Sequence, residues 1–294
     1  AIDPIRDLSE CLPGIELENT PIGSLLPQVA SELGLPENIP VSIGGGDNMM
    51  AAVGTGNVEP GVITMSLGTS GTVYGFSETP IVDSEGEFAG FCSSTGGWLP
   101  LVCTMNCTGA TELLRNLFDI DLEGFELCLN KSTPGAEGLI TIPFFTGERT
   151  PNLPNAKACL LGLDDQNTGT NNILRSAVEG VTYGLKHGLC RLADHSVRAE
   201  TIILTGGGAK SDTWRQIVAD ICGAPVEMLQ QEEGAAFGAA LQALAMLEER
   251  ELTSLVKEHL DRDSTRCCEP DPSAVTFYDE AYFQYRQSVE QIAS

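Results

Sequence analysis

The distribution of apolar and polar positions divides the chain into two parts. In the first part, short apolar runs between glycines predict strands at residues 39–43, 61–67, 72–76, 88–92, 98–102 and 138–143, and helices at residues 25–33 and 108–118. In the second part, the pattern predicts helices at residues 171–194, 212–222, 235–247 and 274–293, and strands at residues 200–204 and 225–228. Meandering strands followed by alternating helices and strands indicate an α/β fold in which helices flank a mixed sheet.

Three glycine-rich turns, at residues 44–47, 68–71 and 206–208, each follow a predicted strand. Glycine lets the backbone adopt positive φ and approach a ligand, so that successive N–H groups can point at a phosphate. None of the turns has the spacing of a Walker A loop or of a dinucleotide fingerprint. Each turn alone is compatible with an ordinary tight turn, but three of them at strand ends favour a ligand cleft.

Asp47 is the last residue of the first glycine turn, one position past Gly46, at the predicted carboxyl end of the strand at residues 39–43. A carboxylate there can accept a proton from a substrate hydroxyl, as in phosphoryl transfer to an alcohol. The alternative is a helix N-cap, because Asp suits that position and an apolar helical segment begins near Asn48. The position alone leaves both interpretations open.

The amino-acid composition and net charge limit the kinds of molecule that the chain can bind. The chain has 294 residues, of which 42% are hydrophobic, and a formal net charge of −25. Nucleic acid is excluded as the main partner, because phosphate backbones are bound by clusters of Lys and Arg. A bound nucleotide would have to be held by backbone N–H groups and a metal ion. No apolar window is long enough to predict a membrane-spanning helix.

The cysteines and histidines give no sign of a cross-linked or metal-bound protein. The 10 cysteines form no recognisable disulfide framework, and the 3 histidines are scattered along the chain. Residues 1–10 have no apolar stretch and predict no signal peptide. We therefore expect reduced thiols, a cytoplasmic protein and no metal site formed by protein side chains.

The glycine turns resemble motifs of the FGGY carbohydrate kinase family, which shares the fold of actin and hexokinase. Residues 44–48 resemble the family's segment with the catalytic aspartate, and residues 66–71 resemble its β/γ-phosphate hairpin. Residues 205–211 resemble its adenosine-binding turn, and residues 234–240 resemble the start of the helix that closes the adenine side. The resemblance implies a ribonuclease H-like, actin-like ATPase lobe.

A spaced pattern is the most specific part of this resemblance. It fits the family's second signature at every defined position: Ala158, Leu160, Gly162 and Leu163, then eight residues, then Asn172, Ile173, Ser176, Ala177, Val178 and Glu179. The run at residues 145–151, followed by residues 154–156, is similar to that of family members that act on xylulose.

The resemblance implies a reaction and a set of site residues. The chain would take part in ATP-dependent phosphorylation of the terminal hydroxyl of D-xylulose to xylulose 5-phosphate. Asp47 would be the general base, and Asp47 and Asn48 would contact the sugar. The nucleotide-binding residues implied are Gly68, Thr69, Ser70, Gly71, Gly206, Gly207, Gly208 and Ser211. Mg²⁺ would bridge the phosphates and offset their charge.

The family has two lobes of the same fold, with ATP and sugar between them. An Asp-x-Gly-Thr pattern opens the first lobe, and this chain lacks such a pattern. The resemblance therefore implies that residues 39–294 form the C-terminal lobe and that residues 1–38 lead in from an absent N-terminal lobe. We expect the isolated chain to be incomplete and inactive as a kinase. Many family members dimerise, which makes a homodimer a further expectation.

Two other functions stay open at this point. Within the family, the substrate could be another polyol or sugar, such as glycerol, gluconate, ribulose or rhamnulose. Alternatively, the chain could be a nucleotide-binding module that catalyses no reaction. Asp47 discriminates between these classes, because only a kinase needs it for turnover.

Overall fold

The computed structural model describes residues 20–231 and 234–293, together with Cys11, Gly14 and Glu16. The prediction for residues 1–10 lies outside the described residues. The strands are β1 (Gly23–Ser24), β2 (Pro40–Val41), β3 (Gly61–Leu67), β4 (Gly71–Gly75), β5 (Phe88–Cys92), β6 (Trp98–Thr104), β7 (Ile140–Ile142), β8 (Cys159–Leu161), β9 (Ala199–Thr205) and β10 (Val226–Glu227). The α-helices are α1 (Pro27–Leu33), α2 (Asp47–Gly54), α3 (Thr108–Leu117), α4 (Leu122–Lys131), α5 (Thr170–Asp194), α6 (Asp212–Cys222), α7 (Gly234–Glu248), α8 (Leu252–His259) and α9 (Pro272–Ala293).

A six-stranded mixed sheet forms the centre of the described fold, in the order β10–β9–β3–β4–β6–β5. Strands β10, β9 and β3 are parallel to one another. Strand β4 runs antiparallel to β3, β6 antiparallel to β4, and β5 antiparallel to β6. The mixed sheet predicted from the alternation of elements is therefore confirmed.

Helices cover both faces of this sheet. Because successive side chains of a strand point to opposite faces, Ile63 and Met65 enter the main core, which α3, α4, α5, α6 and α9 complete. Tyr74 and Leu101 point to the other face, where they pack against Ala52 of α2. Helices α7 and α8 pack on the outer side of α2. The sheet thus lies between two helical layers, and its strand ends remain accessible.

Helix α6 has local sequence signals at both of its ends. Ser211 is its N-cap, and its hydroxyl accepts a hydrogen bond from the N–H of Trp214 at 3.0 Å. Gly223 ends the helix in the left-handed conformation, with φ of 65°. Both signals are local, so the predicted bounds and the observed bounds agree.

The strand predicted at residues 39–43 is wrong in extent and in place. Only Pro40–Val41 is extended, and it pairs with Gly23–Ser24 in a two-stranded ribbon separate from the central sheet. Positive φ at Asn38 (64°) and Gly44 (73°) turns the backbone on both sides. Val41 is consequently exposed, and the residues before Asp47 do not form a buried strand.

Four elements were not predicted: helices α4 and α8 and strands β1 and β8. Helix α4 has a local signal, since the carboxylate of Asp121 caps it by accepting the N–H of Gly124 at 2.8 Å. Among the described residues, no helix is both long enough and apolar enough to cross a membrane.

Asp83 organises the loop that leads into β5. Its carboxylate accepts backbone N–H groups of Glu85, Glu87 and Phe88 at 3.2, 2.6 and 3.3 Å. Its side chain is 2% exposed and pairs with Arg191 of α5 at 3.4 Å. Burial opposes ionisation, but these N–H groups and Arg191 prevail and hold the pKa of Asp83 below its ordinary value.

We expect Asp83→Asn to lower the free energy of unfolding at pH 7 by about 2 kcal/mol, because hydrogen bonds to a charged acceptor are lost. A lowered carboxyl pKa stabilises the fold above the unfolded-state pKa, and this contribution disappears as pH falls through the folded-state pKa. Urea unfolding at pH 7 and below pH 4 should therefore show the difference from wild type shrinking in acid.

Asp164→Asn is the matched control for this prediction. Asp164 also accepts two backbone N–H groups, from Gln166 and Asn167, but it is exposed. Its replacement should change stability by less than about 1 kcal/mol. Equal effects of the two substitutions would contradict the role assigned to Asp83.

Candidate functional site

Two of the predicted glycine turns lie side by side at one edge of the sheet. Strands β3 and β9 are parallel neighbours, and Ser66 pairs with Thr205 at their carboxyl ends. Gly206 has φ of +88°, and a Cβ there would lie 2.7 Å from the backbone carbon and oxygen of Leu67. A Cβ on Gly208 would lie 2.8 Å from Cβ of Leu67. Glycine is thus required for the two turns to approach each other.

The hairpin at residues 68–70 is held by the start of α3. The N–H of Thr108 donates to the carbonyl of Gly68 at 2.9 Å, and its hydroxyl donates to the same oxygen at 2.8 Å. The N–H groups of Cys107 and Gly109 donate to the carbonyl of Thr69 at 3.1 and 3.2 Å. The carbonyl groups of the hairpin are therefore turned inward against α3.

Thr69 and Ser70, at the tip of this hairpin, are exposed. Within residues 20–231 and 234–293, their backbone N–H groups have no hydrogen-bond acceptor. Exposed N–H groups on a backbone whose carbonyls are already bonded can receive an anion without rearrangement. The predicted residues Gly68, Thr69, Ser70 and Gly71 thus form one compact unit.

The start of α6 is already occupied by a carboxylate. Glu126 of α4 accepts the hydroxyl of Ser211 at 2.5 Å and the N–H of Thr213 at 2.9 Å. Gly207–Lys210 forms a short 3-10 helix between β9 and α6. Ser211 is therefore held between the glycine turn and α4, and the first turn of α6 is satisfied by protein.

A cavity of about 470 Å³ opens beside this second turn. Gly207, Gly208 and Ser211, which are three of the residues expected to bind nucleotide, line it. Sequence analysis missed the lining residues from α3 and α4, namely Thr108, Thr111, Glu112, Arg115, Leu122, Phe125 and Glu126. The Asp121 cap and the apolar spacing of Leu122 and Phe125 could have indicated α4, but its place beside the turn is a tertiary contact.

Asp47 is the first residue of α2, and Gly46 is the N-cap. The alternative interpretation of Asp47 as N-cap is therefore wrong. Its Oδ1 accepts the N–H of Asn48 at 2.8 Å and the Asn48 amide at 3.4 Å. Asp47 is exposed, and within the part of the chain that the structure describes its Oδ2 has no partner.

Asp47 lies in the helical layer that packs on β4 and β6, whereas the glycine turns at residues 68–71 and 206–208 lie at the carboxyl ends of β3 and β9. Within the described residues it forms no hydrogen bond or ion pair with either turn. Burial raises the pKa of the Tyr74 hydroxyl, the neighbouring Thr64 lowers it in part, and the charge of Asp47 raises it further. Helix α2, which begins at Asp47, packs against Tyr74 through Ala52.

The glycine segment before Asp47 is fixed by a residue that sequence analysis missed. Gln242 of α7 is 1% exposed. Its Oε1 accepts the N–H of Gly44 at 2.9 Å, and its amide donates to the carbonyl of Gly44 at 3.3 Å. This pair joins positions 198 residues apart, so no local pattern could have revealed it.

Helices α2 and α7 meet backbone to backbone. A Cβ on Gly54 would lie 1.9 Å from the carbonyl oxygen of Gly234, and a Cβ on Gly238 would lie 1.9 Å from that of Met50. The helix start at residues 234–240 therefore packs on the helix that carries Asp47, rather than lining the cavity beside Gly207. Residues 232–233, just before it, lie outside the description.

Metal-ligating side chains do not cluster in the described part of the chain. No group of three or more His, Cys, Asp or Glu side chains there is arranged to hold a metal ion. For an anionic ligand, the described site offers the free backbone N–H groups of Thr69 and Ser70 at the hairpin. A cavity lies beside the second glycine turn.

Solved structures resemble this fold closely. A ligand-bound xylulose kinase from Lactobacillus acidophilus superimposes with a TM-score of 0.91 at 21% identity, covering 97% of this chain and 58% of that one. That likeness concerns the fold alone. Xylulose kinase from Bifidobacterium adolescentis gives a TM-score of 0.77 at 32% identity, covering 92% of this chain and 53% of that one. The actin-like ATPase fold expected from the motifs is confirmed.

Sequence comparison leads to the same group of proteins. Xylulose kinase from Haemophilus influenzae is 42% identical over 289 residues, which is 98% of this chain and 59% of that protein. The chain thus spans little more than half the length of the relatives it matches. Residues 63–247 match the C-terminal domain of the FGGY family of carbohydrate kinases. The chain therefore belongs to the FGGY family of carbohydrate kinases, as its motifs predicted.

Proposed function

We propose that this chain is the nucleotide-binding, C-terminal lobe of an ATP-dependent sugar kinase. The observation that carries the proposal is the convergence of two glycine turns at one sheet edge, with the free N–H groups of Thr69 and Ser70 next to a cavity of about 470 Å³. Such an arrangement suits a nucleoside followed by phosphates. It also explains how a chain with a net charge of −25 can hold a polyanion.

The nucleotide would extend from the cavity to the hairpin. The base and ribose would lie between α3, α4 and α6, with Gly207, Gly208 and Ser211 beside the α-phosphate. The terminal phosphates would lie on the N–H groups of the hairpin at residues 68–71. A Mg²⁺ ion bound with ATP supplies charge compensation for the transferring phosphoryl group, and phosphate oxygens and water would be its ligands.

Asp47 would be the general base of the transfer. Its Oδ1 is oriented by Asn48 and its Oδ2 is open to solvent, where it can take the proton of a sugar hydroxyl. The hydroxyl oxygen then forms a bond to the γ-phosphorus as the bond to the bridging oxygen breaks, and ADP leaves. Gln242 holds the segment before Asp47, and the backbone contact of α2 with α7 fixes the helix itself.

D-Xylulose is the proposed sugar, with xylulose 5-phosphate as product. The relatives named xylulose kinase and the loop at residues 145–151 support this choice. Residues 39–294 would form one wall of the cleft, and a further lobe of a longer protein would form the other. The isolated chain is then expected to bind nucleotide but not to turn over sugar, because the cleft cannot close.

Calorimetric titration of the 294-residue chain with Mg-ADP tests the nucleotide site directly. We expect saturable one-site binding. If the chain fails to bind, the titration is repeated on the full-length protein, and failure there as well refutes the nucleotide assignment. A substrate panel on the full-length protein then tests the sugar. A strong preference for glycerol, gluconate, ribulose or rhamnulose over xylulose would refute D-xylulose as the substrate.

A further inference from the structure

A buried carboxylate without a cationic partner lies behind the phosphate hairpin. Glu148, in the loop between β7 and β8, is 3% exposed. Within the described residues no Lys, Arg or His side chain forms an ion pair with it, and Arg149 beside it points to solvent. An ionised carboxylate in such surroundings is costly unless its oxygens receive several hydrogen bonds.

Within the described residues, the hydrogen bonds to Glu148 come from its own loop and from the turn between β6 and α3. Its Oε1 accepts the backbone N–H of Met105 at 2.5 Å and that of Arg149 at 2.8 Å. Its Oε2 accepts the side-chain amide of Asn106 at 3.0 Å. The same amide donates to the carbonyl of Gly147 at 2.7 Å. Glu148 and Asn106 thus lock the loop and the turn together.

This locked turn leads directly into the hydrogen bonds that hold the hairpin. The residues that follow Asn106 are Cys107, Thr108 and Gly109, and their N–H groups bind the carbonyls of Gly68 and Thr69. A shift of the 105–106 backbone would therefore be passed to the hairpin through one peptide unit. The chain of contacts runs from Glu148 to the turn, from the turn to the α3 start, and from there to the hairpin.

The hydrogen bonds to Glu148 offset only part of the effect of its burial on ionisation. Burial raises the pKa of its carboxyl, and the Asn106 amide and backbone N–H groups lower it in part. A carboxyl group whose pKa is raised in the folded state makes that state less stable as pH rises from the unfolded-state pKa through the folded-state pKa. When the carboxyl group is ionised, its hydrogen bonds to the Met105 N–H and the Asn106 amide are charge-assisted, and such bonds are shorter and stronger than neutral ones. These bonds hold the backbone of residues 105–106 in a defined position.

We propose that Glu148 is a positioning residue that acts through the 105–109 segment to keep the 68–70 hairpin in the conformation that receives the terminal phosphates of the nucleotide. The inference rests on the proposed function. It distinguishes the two halves of the nucleotide, because the 105–109 segment donates hydrogen bonds to the hairpin carbonyls and, within the described residues, none to the Gly206–Gly208 turn. Thr108 is the residue of this segment that also lines the cavity.

The test compares ATP with AMP, which lacks the β- and γ-phosphates, on the full-length kinase. For Glu148→Gln we expect the dissociation constant of Mg-ATP to rise about tenfold, the order expected when hydrogen bonds to a charged group are weakened, and that of AMP to stay unchanged. The kcat should fall by about ten- to hundredfold, as for a small misplacement of reacting groups. Asn106→Ala removes the other half of the lock and should give the same selective loss, which keeps the test decisive if Glu148→Gln does not fold.

Glu179→Gln is the matched control. Glu179 is also a buried carboxylate, 2% exposed, but it bonds to Arg175, Tyr278 and the N–H of Gly135, away from the hairpin. It should lower the melting temperature without separating ATP from AMP. The inference is overturned if Glu148→Gln and Asn106→Ala bind ATP like wild type, or if both lose ATP and AMP equally. Wild-type protein that binds neither nucleotide would instead refute the proposed function.

Discussion

Replacing Asp47 with Asn is expected to lower the kcat for sugar phosphorylation by about a thousandfold in the full-length protein, because general-base catalysis contributes on that order. Asn cannot take the proton from the attacking hydroxyl, yet it can still accept the N–H of the next residue. The fold and the nucleotide site should therefore persist. Steady-state kinetics with D-xylulose and calorimetry with Mg-ATP on the same preparation would measure both quantities.

Asp121→Asn provides the control for this substitution. Asp121 is an exposed acid at the start of α4, and Asn is as good an N-cap as Asp. Its kcat should equal that of wild type. Retained turnover in Asp47→Asn would mean that Asp47 serves only the first turn of α2, where an acid is favourable. That result would favour the alternative function, a nucleotide-binding module without catalysis.

Gly238→Ala should lower the free energy of unfolding by about 3 kcal/mol, the upper range for overpacking. The added Cβ would lie 1.9 Å from the carbonyl oxygen of Met50 and 2.8 Å from the N of Gly54, both backbone atoms of α2. Neither can yield by rotating a side chain, so α2 must move away from α7. Because Asp47 begins α2, turnover per folded molecule should fall as well. Urea unfolding and kinetics would record these two effects.

The control for this prediction is Gly184→Ala, within helix α5. A Cβ at Gly184 would meet nothing within 4 Å. Alanine is favoured over glycine in a helix by about 1 kcal/mol, so this variant should be neutral or more stable. Equal destabilisation by both substitutions would show that loss of glycine as such, and not the contact between α2 and α7, is responsible.

The elements that could be predicted are those with local signals. Helix α6 has its serine cap and its left-handed glycine within the sequence window that forms it. The hairpin of β3 and β4 has strand-forming residues on both sides of a glycine-containing turn. The prediction of a strand at residues 39–43 was wrong because it rested on an apolar run alone. Positive φ at Asn38 and Gly44 confines the extended backbone to Pro40–Val41.

The parts of the candidate site that could not be predicted depend on distant residues. Glu126 binds Ser211 across 85 positions, and Gln242 binds Gly44 across 198. Glu148 reaches Met105 across 43 positions from a loop whose sequence suggested only a substrate preference. These contacts use single polar side chains with no periodic pattern, so they are visible only when the elements are packed.

The sequence by itself determined the family, the alternation of elements and the glycine turns, because motif spacing and helix or strand periodicity are local properties of the chain. Tertiary structure decided which turns share an edge and how they are supported. Parallel pairing of β3 with β9 brings the hairpin beside the Gly206–Gly208 turn, and the glycines of α2 and α7 allow those helices to touch. Such choices follow from packing between segments far apart in sequence, where side-chain volume and hydrogen-bond partners, not local propensity, set the arrangement.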